Sequence, residues 1–192
     1  MASAADVAEA IEKPTNKRIA LVIALLALML AFSEIGASNA EIDSLAANVE
    51  ASNLWAFFQA KTIRRTNVQI AAEGMEVEMA AVADPAQRER MEKRIQGWRQ
   101  TAERYETEPE TGEGRRELTV RAKASEAKRD ALAARNEWFE IASGTLQVAI
   151  VLASAAIITE MIALAWLGGA LGIAAMGAMG LAFLAPQAVQ LF

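Results

Sequence analysis

The longest apolar stretch of the chain, Val148 to Ala185, constrains the fold more than any other feature. Its only ionisable residue is Glu160. A straight helix of this length would be nearly twice as long as a bilayer core of about 30 Å, so a single membrane span is excluded. The pair Gly168 and Gly169 lies near the middle and is a strong turn signal. We therefore predict a hairpin of two membrane helices that turns at this pair.

A second apolar run, Ile19 to Phe32, follows the basic residues Lys17 and Arg18. We interpret residues 17–37 as a retained membrane helix, although a secretory signal cleaved near residues 38–40 has the same layout. Basic residues before a first span place the N-terminus in the cytoplasm. The long polar block would then lie in the periplasm, next to a bacterial inner membrane.

The composition separates apolar and charged blocks, since 54% of the 192 residues are hydrophobic and 22% are charged. The polar block carries nearly equal numbers of basic and acidic residues, so nothing attracts it strongly to nucleic acid. The chain has no cysteine and no histidine, which excludes a Cys/His zinc site, a cysteine nucleophile and a Ser/His triad. We expect no cofactor, no metal and no enzymatic activity. Few helix breakers in the polar block favour an all-α fold.

Heptad spacing organises the first half of the polar block. Apolar residues recur every seventh position, which is typical of a coiled-coil seam, at Ile42, Val49, Ala56, Ile63, Ile70 and Val77. A second stripe, which includes Leu54, Val68 and Met75, lies away from the first, so we expect this helix to have neighbours on two sides. Asp84 and Pro85 should end it and begin the next helix, as N-cap and first helical residue.

Two further seams follow at steps of four and three. The first contains Met91, Ile95, Trp98, Ala102 and Tyr105, and the second, rich in alanine, runs from Val120 to Trp138 and Ile141. Thr107 to Gly114 is the one convincing loop between them. We expect the last helix to run from about Arg115 into the membrane. Together the seams predict an antiparallel coiled-coil bundle, closed either within one chain or between chains.

The predicted architecture is an all-α membrane protein with four parts. These are an N-terminal tail at residues 1–16, a first membrane helix at 17–37, an extramembrane coiled-coil block at 38–140 and a C-terminal membrane hairpin at 141–192. Membrane lipid is therefore an expected partner.

Two carboxylates fall on the predicted membrane helices. Glu160 is the sharper candidate, because a carboxylate inside a span is costly and usually faces protein or a cavity. It could line an ion or proton pathway, but we favour a protonated or hydrogen-bonded residue that holds helices together. Glu34 lies near the end of the first span, where a carboxylate can reach interfacial water.

Small residues recur on the last predicted span. Gly168 and Gly172 form a GxxxG motif next to Gly169, and in a second series alanine recurs every fourth residue at Ala170, Ala174, Ala178 and Ala182. Small residues four apart let membrane helices approach closely, so this face predicts packing against a helix of the same chain or of another subunit.

Two segments resemble a known family. The segment NLWAFFQAKTIR at residues 53–64 and the segment from Phe139 to Gly172, with its WLGGALG turn, resemble the bacterial membrane-protein family known as domain-of-unknown-function family 4337. The resemblance covers nearly the whole chain. It implies an inner-membrane protein with the same three-span plan, and it carries no activity to transfer.

The function that these patterns favour is structural. We predict a membrane-anchored protein that self-associates, as a homo-oligomer, or docks to a partner complex through its coiled coil and its Gly/Ala-rich span. The alternative is an oligomeric ion channel or transport component in which Glu160 lines the pathway.

Overall fold

The computed structural model describes residues 14–186, and within that range every secondary-structure element is a helix. Helix α1 spans Pro14–Ala80, α2 Pro85–Glu106, α3 Arg115–Thr159 and α4 Ile162–Leu184. The all-α prediction is confirmed. Most of the predicted N-terminal tail (residues 1–13) and the end of the predicted hairpin (187–192) lie outside the described residues.

Helix α1 is longer than the sequence patterns suggested. The predicted membrane helix and the first helix of the polar block form one continuous helix of 67 residues. It has no break at residues 38–40, where a cleavage site was considered, and Ala40 is buried. Between Pro14 and Asp84 the chain contains no proline, and its two glycines, Gly36 and Gly74, are isolated, so nothing interrupts the backbone hydrogen bonding.

The other predicted boundaries in the polar block are confirmed. Asp84 is the N-cap of α2, its carboxylate accepts a hydrogen bond from the backbone N–H of Ala86 at 3.1 Å, and Pro85 is the first helical residue. Residues 107–114 form the loop between α2 and α3. Helix α3 begins at Arg115 and continues without interruption into the apolar stretch.

The prediction of a turn at Gly168 and Gly169 is wrong. Helices α3 and α4 are joined by Glu160 and Met161, and both glycines lie inside α4. The reason is length, because 23 residues of α4 give about 34 Å of helix, enough to cross a bilayer, whereas a helix that began after Gly169 would be too short. Glu160, the only ionisable residue of the apolar stretch, therefore lies between the end of α3 and the start of α4.

Three helices, α1, α3 and α4, each contain a segment long and apolar enough to cross a membrane. The segment in α1 lies near its N-terminus. This is consistent with a membrane protein.

The chain divides into two compact units. The apolar unit contains residues 14–45 and 129–186 of the described chain, and the polar unit contains Ala46–Lys128. Helices α1 and α3 each have one part in the apolar unit and one part in the polar unit.

The core of the apolar unit consists largely of alanine and glycine. Helix α3 contributes a fully buried face of Ala142, Leu146, Ala149, Ala153 and Ala156. Leu26 of α1 and the small residues of α4 pack against this face. Small side chains allow the helix axes to approach closely, which is how helices associate where the solvent is as apolar as the core.

The core of the polar unit has two parts. Leu54, Leu118 and Ala122 are buried together, with the aromatic side chains of Trp55, Phe57 and Phe58 partly buried against them. The smaller set, further along α1 and on α2, comprises Ala72, Ile95 and Ala102. These three aromatic side chains therefore help to form the core of the polar unit.

Candidate functional site

The seven-residue seam of α1 lies on the surface of the chain. In the polar unit its members Val49, Ala56, Ile63, Ile70 and Val77 are all exposed, and we call these five residues the outer stripe. Ile63 and Ile70 are 60% and 61% exposed, and Val77 is 76% exposed. Ile42, the member in the apolar unit, is exposed as well. The single chain therefore does not bury this seam, which leaves the alternative of a bundle closed between chains as a prediction.

The face that α1 buries is the second stripe. Its buried members recur every seventh residue at Ile19, Leu26, Ser33, Ala40, Ala47, Leu54 and Lys61. The larger apolar side chains of the first seam were a misleading guide to this face, because three of its seven buried members are alanine or serine, whose small side chains allow close helix packing.

The predicted seam of α3 begins on an exposed face of the single chain. Val120 is exposed, whereas Leu118, Ala122 and Ser125 are buried. Alanine occurs on every side of this helix, so a spacing of four and three could be traced along more than one face. Trp138 is half-buried, and its indole N–H donates to the carbonyl oxygen of Pro186 at 3.1 Å.

The predicted seam of α2 faces inward. Ile95 is buried, and Met91, Trp98 and Tyr105 are half-buried. The guanidinium of Arg94 lies over the Trp98 ring, 5.1 Å from its centre, which is a favourable cation–π arrangement.

A buried lysine marks the loop end of the polar unit. The side chain of Lys61 is 7% exposed, and its ammonium lies 3.6 Å from Glu108 and 3.7 Å from Glu113. The same ammonium lies 5.3 Å and 5.4 Å from the ring centres of Phe57 and Tyr105. Two carboxylates and two aromatic faces thus offset the loss of hydration that burial of this charge entails.

In the same part of the polar unit, the carboxylate of Glu106 forms ion pairs with three arginines. Its carboxylate lies 2.5 Å from Arg115, 3.4 Å from Arg65 and 3.4 Å from Arg116. Burial alone would raise the pKa of the Glu106 carboxyl, but the charge and hydrogen bond of Arg115, with help from Arg65 and Arg116, outweigh burial and lower it.

Glu108 belongs to the same cluster. A hydrogen bond from Arg104 lowers the pKa of its carboxyl, against an opposing effect of burial, and Thr111 and Lys61 add to the lowering.

This charged cluster ties the loop at residues 107–114 to the helices around it. Each of the carboxylates Glu106, Glu108 and Glu113 contacts a cation of the same chain, so the cluster has the ion pairs expected of a group that stabilises the fold. The sequence patterns described above do not predict this cluster, although they contain a signal for it. Lys61 lies seven residues after Leu54 and seven before Val68, in the middle of the second apolar stripe, so its burial could have been predicted.

Glu160 does not lie within a membrane helix. It is an exposed residue of the link between α3 and α4, with a left-handed backbone conformation, φ +56°. Left-handed conformations are unfavourable for residues with a Cβ, and here the conformation makes possible a reversal of direction within two residues. The prediction that Glu160 lies within a helix of the apolar stretch is therefore wrong.

Glu34 lies on α1 in the apolar unit and is exposed. With Glu41, Glu140 and Ser143 it lines an open polar groove of about 450 Å³. Ser143 is buried, and its hydroxyl oxygen has no hydrogen-bond partner among the described residues. Glu34 therefore has polar surroundings, as expected near the end of a span.

The small residues of α4 separate into two groups. Gly168, Gly172, Ala178 and Ala182 are buried, whereas Ala174 is exposed. A Cβ on Gly168 would lie 2.8 Å from the carbonyl oxygen of Ala149, and one on Gly172 would lie 2.6 Å from a methyl carbon of Leu26.

Gly169 is half-buried, and a Cβ there would meet nothing within 4 Å. The buried small residues thus face other helices of the same chain, while Gly169 and Ala174 do not take part in that contact.

A family model described as Domain of unknown function (DUF4337) matches residues 15–185. The chain belongs to this family. No curated protein and no solved structure matches the chain. Membership confirms the resemblance drawn from the segments at residues 53–64 and 139–172, and the match takes in parts of all four helices. The description of the family assigns no activity and no functional residues.

In the polar unit, the predicted site residues that this family member does not bury lie mainly on α1. The charged cluster pairs its carboxylates internally, and the buried small residues of α4 contact α3 and α1. The outer stripe is the largest set of predicted site residues that the structure leaves exposed in the polar unit, so it is the candidate functional surface.

Proposed function

We propose that this chain is a membrane-anchored structural protein that self-associates or docks to a partner complex through its polar unit. The observation that carries the proposal is the outer stripe. Five apolar side chains at a coiled-coil spacing are exposed on a unit whose remaining surface is densely charged. Exposed apolar surface that is organised in this way marks an interaction site more often than an incidental feature.

The candidate membrane spans supply the anchor. Lys17 and Arg18, at the start of the span in α1, favour a cytoplasmic N-terminus by the positive-inside rule. The polar unit would then lie on the periplasmic side of an inner membrane. In this arrangement the polar unit presents a helical surface to whatever assembles beside it.

The position of Glu160 weighs against the channel alternative. That hypothesis required a carboxylate inside a span, and Glu160 lies instead in the link between two helix ends. No other observation on the described residues favours conduction.

The test is the mass of the particle extracted into nanodiscs. We expect full-length protein to give particles with more than one copy of the chain or with a second, co-purifying protein. A variant that lacks Ala46–Lys128, with a short linker in its place, should give single-chain particles. Single-chain particles from the full-length protein would refute the proposal, and oligomers of the deletion variant would assign assembly to the apolar unit.

A further inference from the structure

The outer stripe lies opposite the face by which α1 packs on its own chain. Leu54 and Lys61 are buried, whereas Ala56 and Ile63, each two residues further along, are exposed. Two residues correspond to about 200° around a helix. The part of α1 in the polar unit thus carries two seven-residue repeats on opposite faces. Among the described residues, only the repeat that contains Leu54 and Lys61 is covered by the chain.

The spacing of the outer stripe indicates what kind of partner would cover it. A seven-residue repeat stays on one side of a helix when that helix winds around another one at about 3.5 residues per turn. Lipid, or an irregular protein surface, imposes no such period. The stripe keeps the period from Val49 to Val77 without a polar interruption, so it fits a second long helix.

The residues beside the stripe indicate that this second helix is identical. Four positions after the stripe residues, asparagine alternates with a small residue, in the order Asn53, Ala60, Asn67 and Gly74. If the stripe occupies the d positions of a coiled coil, these residues occupy the a positions. An Asn at an a position fixes the register and the number of helices. Asn53 and Asn67 are exposed in the single chain and could each meet the same residue of another copy.

The membrane anchor sets the direction of the two helices. A candidate span lies near the N-terminus of α1, so copies inserted in the same orientation present this helix in the same direction. Residence in one bilayer also raises the effective concentration of one copy around another. A contact of modest area is then sufficient for association.

We propose that the outer stripe binds a second copy of this chain in a parallel, in-register coiled coil, with Asn53 and Asn67 each opposite the same residue of the other copy. This inference rests on the self-association proposed above and names its surface and geometry. In this register Glu73 lies near Glu78 of the other copy, and these like charges oppose contact at the Val77 end. The contact is therefore firmest between Val49 and Ile70.

Disulfide cross-linking tests the surface. The chain has no cysteine, so one introduced cysteine reports one position. Full-length Ile63→Cys and Ile70→Cys, oxidised mildly in native membranes, should each give a covalent dimer, because a disulfide needs Cα atoms about 4.4–6.8 Å apart. Arg64→Cys is the matched control. Arg64 is also exposed, but it lies about 100° further round the helix, so its yield of dimer should be much lower.

A mixed experiment tests the register. Epitope-tagged Ile63→Cys and untagged Ile70→Cys, expressed together, should cross-link within each variant but not between them, because one heptad separates the positions by about 10 Å. When Asn53→Leu and Asn67→Leu are added to both variants, the mixed product should appear, since the register is no longer fixed. A mixed product of equal yield without the asparagine changes would overturn the in-register arrangement.

The particle mass of the same preparations separates this inference from the proposed function. Multi-chain particles whose stripe cysteines do not cross-link would overturn the stripe contact and leave self-association to another surface. Cross-linking of the stripe to a different protein would overturn the second copy as its partner. Single-chain particles would overturn both this inference and the self-association on which it rests.

Discussion

Gly168 and Gly169 are adjacent, but they differ in what surrounds them, and this difference yields a quantitative prediction. A methyl group on Gly168 would lie 2.8 Å from the carbonyl oxygen of Ala149 and 3.4 Å from the Cβ of Ala153. A methyl group on Gly169 would meet no atom within 4 Å. The substitutions Gly168→Ala and Gly169→Ala therefore each add one methyl group to α4. They differ only in what that methyl group contacts.

The magnitude follows from the geometry. Close carbon–oxygen contacts of this kind are about 3.3 Å or longer, so α4 would have to move by about 0.5 Å from α3. Overpacking of a well-packed core costs about 1–3 kcal/mol. Replacement of glycine by alanine inside a helix also gains up to about 1 kcal/mol, and this gain applies to both variants. We expect Gly168→Ala to be less stable than Gly169→Ala by about 1–3 kcal/mol.

The assay is reversible unfolding of the full-length protein in mixed micelles, followed by the helical circular dichroism signal as denaturing detergent is added. Gly169→Ala should unfold at or above the wild-type midpoint, and Gly168→Ala below it. Equal midpoints for the two variants would refute the close contact between α4 and α3 at Ala149.

Two further predictions concern single carboxylates. Because the pKa of Glu106 is lowered in the folded chain, its stabilising effect is present above the ordinary value of 4.5 and is lost as the pH falls through the lower folded value. Glu106→Gln should therefore flatten the acid decline of thermal stability measured by circular dichroism. Glu160→Gly should be more stable than Glu160→Ala by about 1 kcal/mol, because only glycine adopts a positive φ without cost. Equal unfolding midpoints for those two variants would contradict the left-handed link.

The sequence was a good guide wherever one local signal decided the structure. Asp84 and Pro85 mark the start of α2 through capping chemistry, and Arg115 follows the only cluster of glycine and proline in the polar block. Both boundaries are found in the structure. The sequence was a poor guide where two local signals competed, since Gly168 and Gly169 form a strong turn signal and are also small enough for close packing. In the structure Gly168 lies within α4 and packs closely against Ala149 of α3.

The sequence predicted which residues form the candidate surface, but not that the chain would leave this surface exposed. Heptad spacing identified Ile63 and Ile70 as members of a seam, but it could not show whether the seam would be buried by this chain. The face that α1 packs against its own chain is instead the second stripe, which includes Ala47 and Lys61. Lys61 becomes acceptable inside the unit only because Glu108 and Glu113 come from a loop distant in sequence.

The sequence by itself determined that the chain is helical and where its apolar segments lie, because periodicity, capping residues and helix breakers act over a few neighbouring residues. The tertiary structure decided which of the two faces of α1 is covered by the chain, and it placed Glu160 at a helix end. Both outcomes depend on how closely whole helices can approach and how long each must be, and such quantities are properties of helix pairs that no local pattern contains.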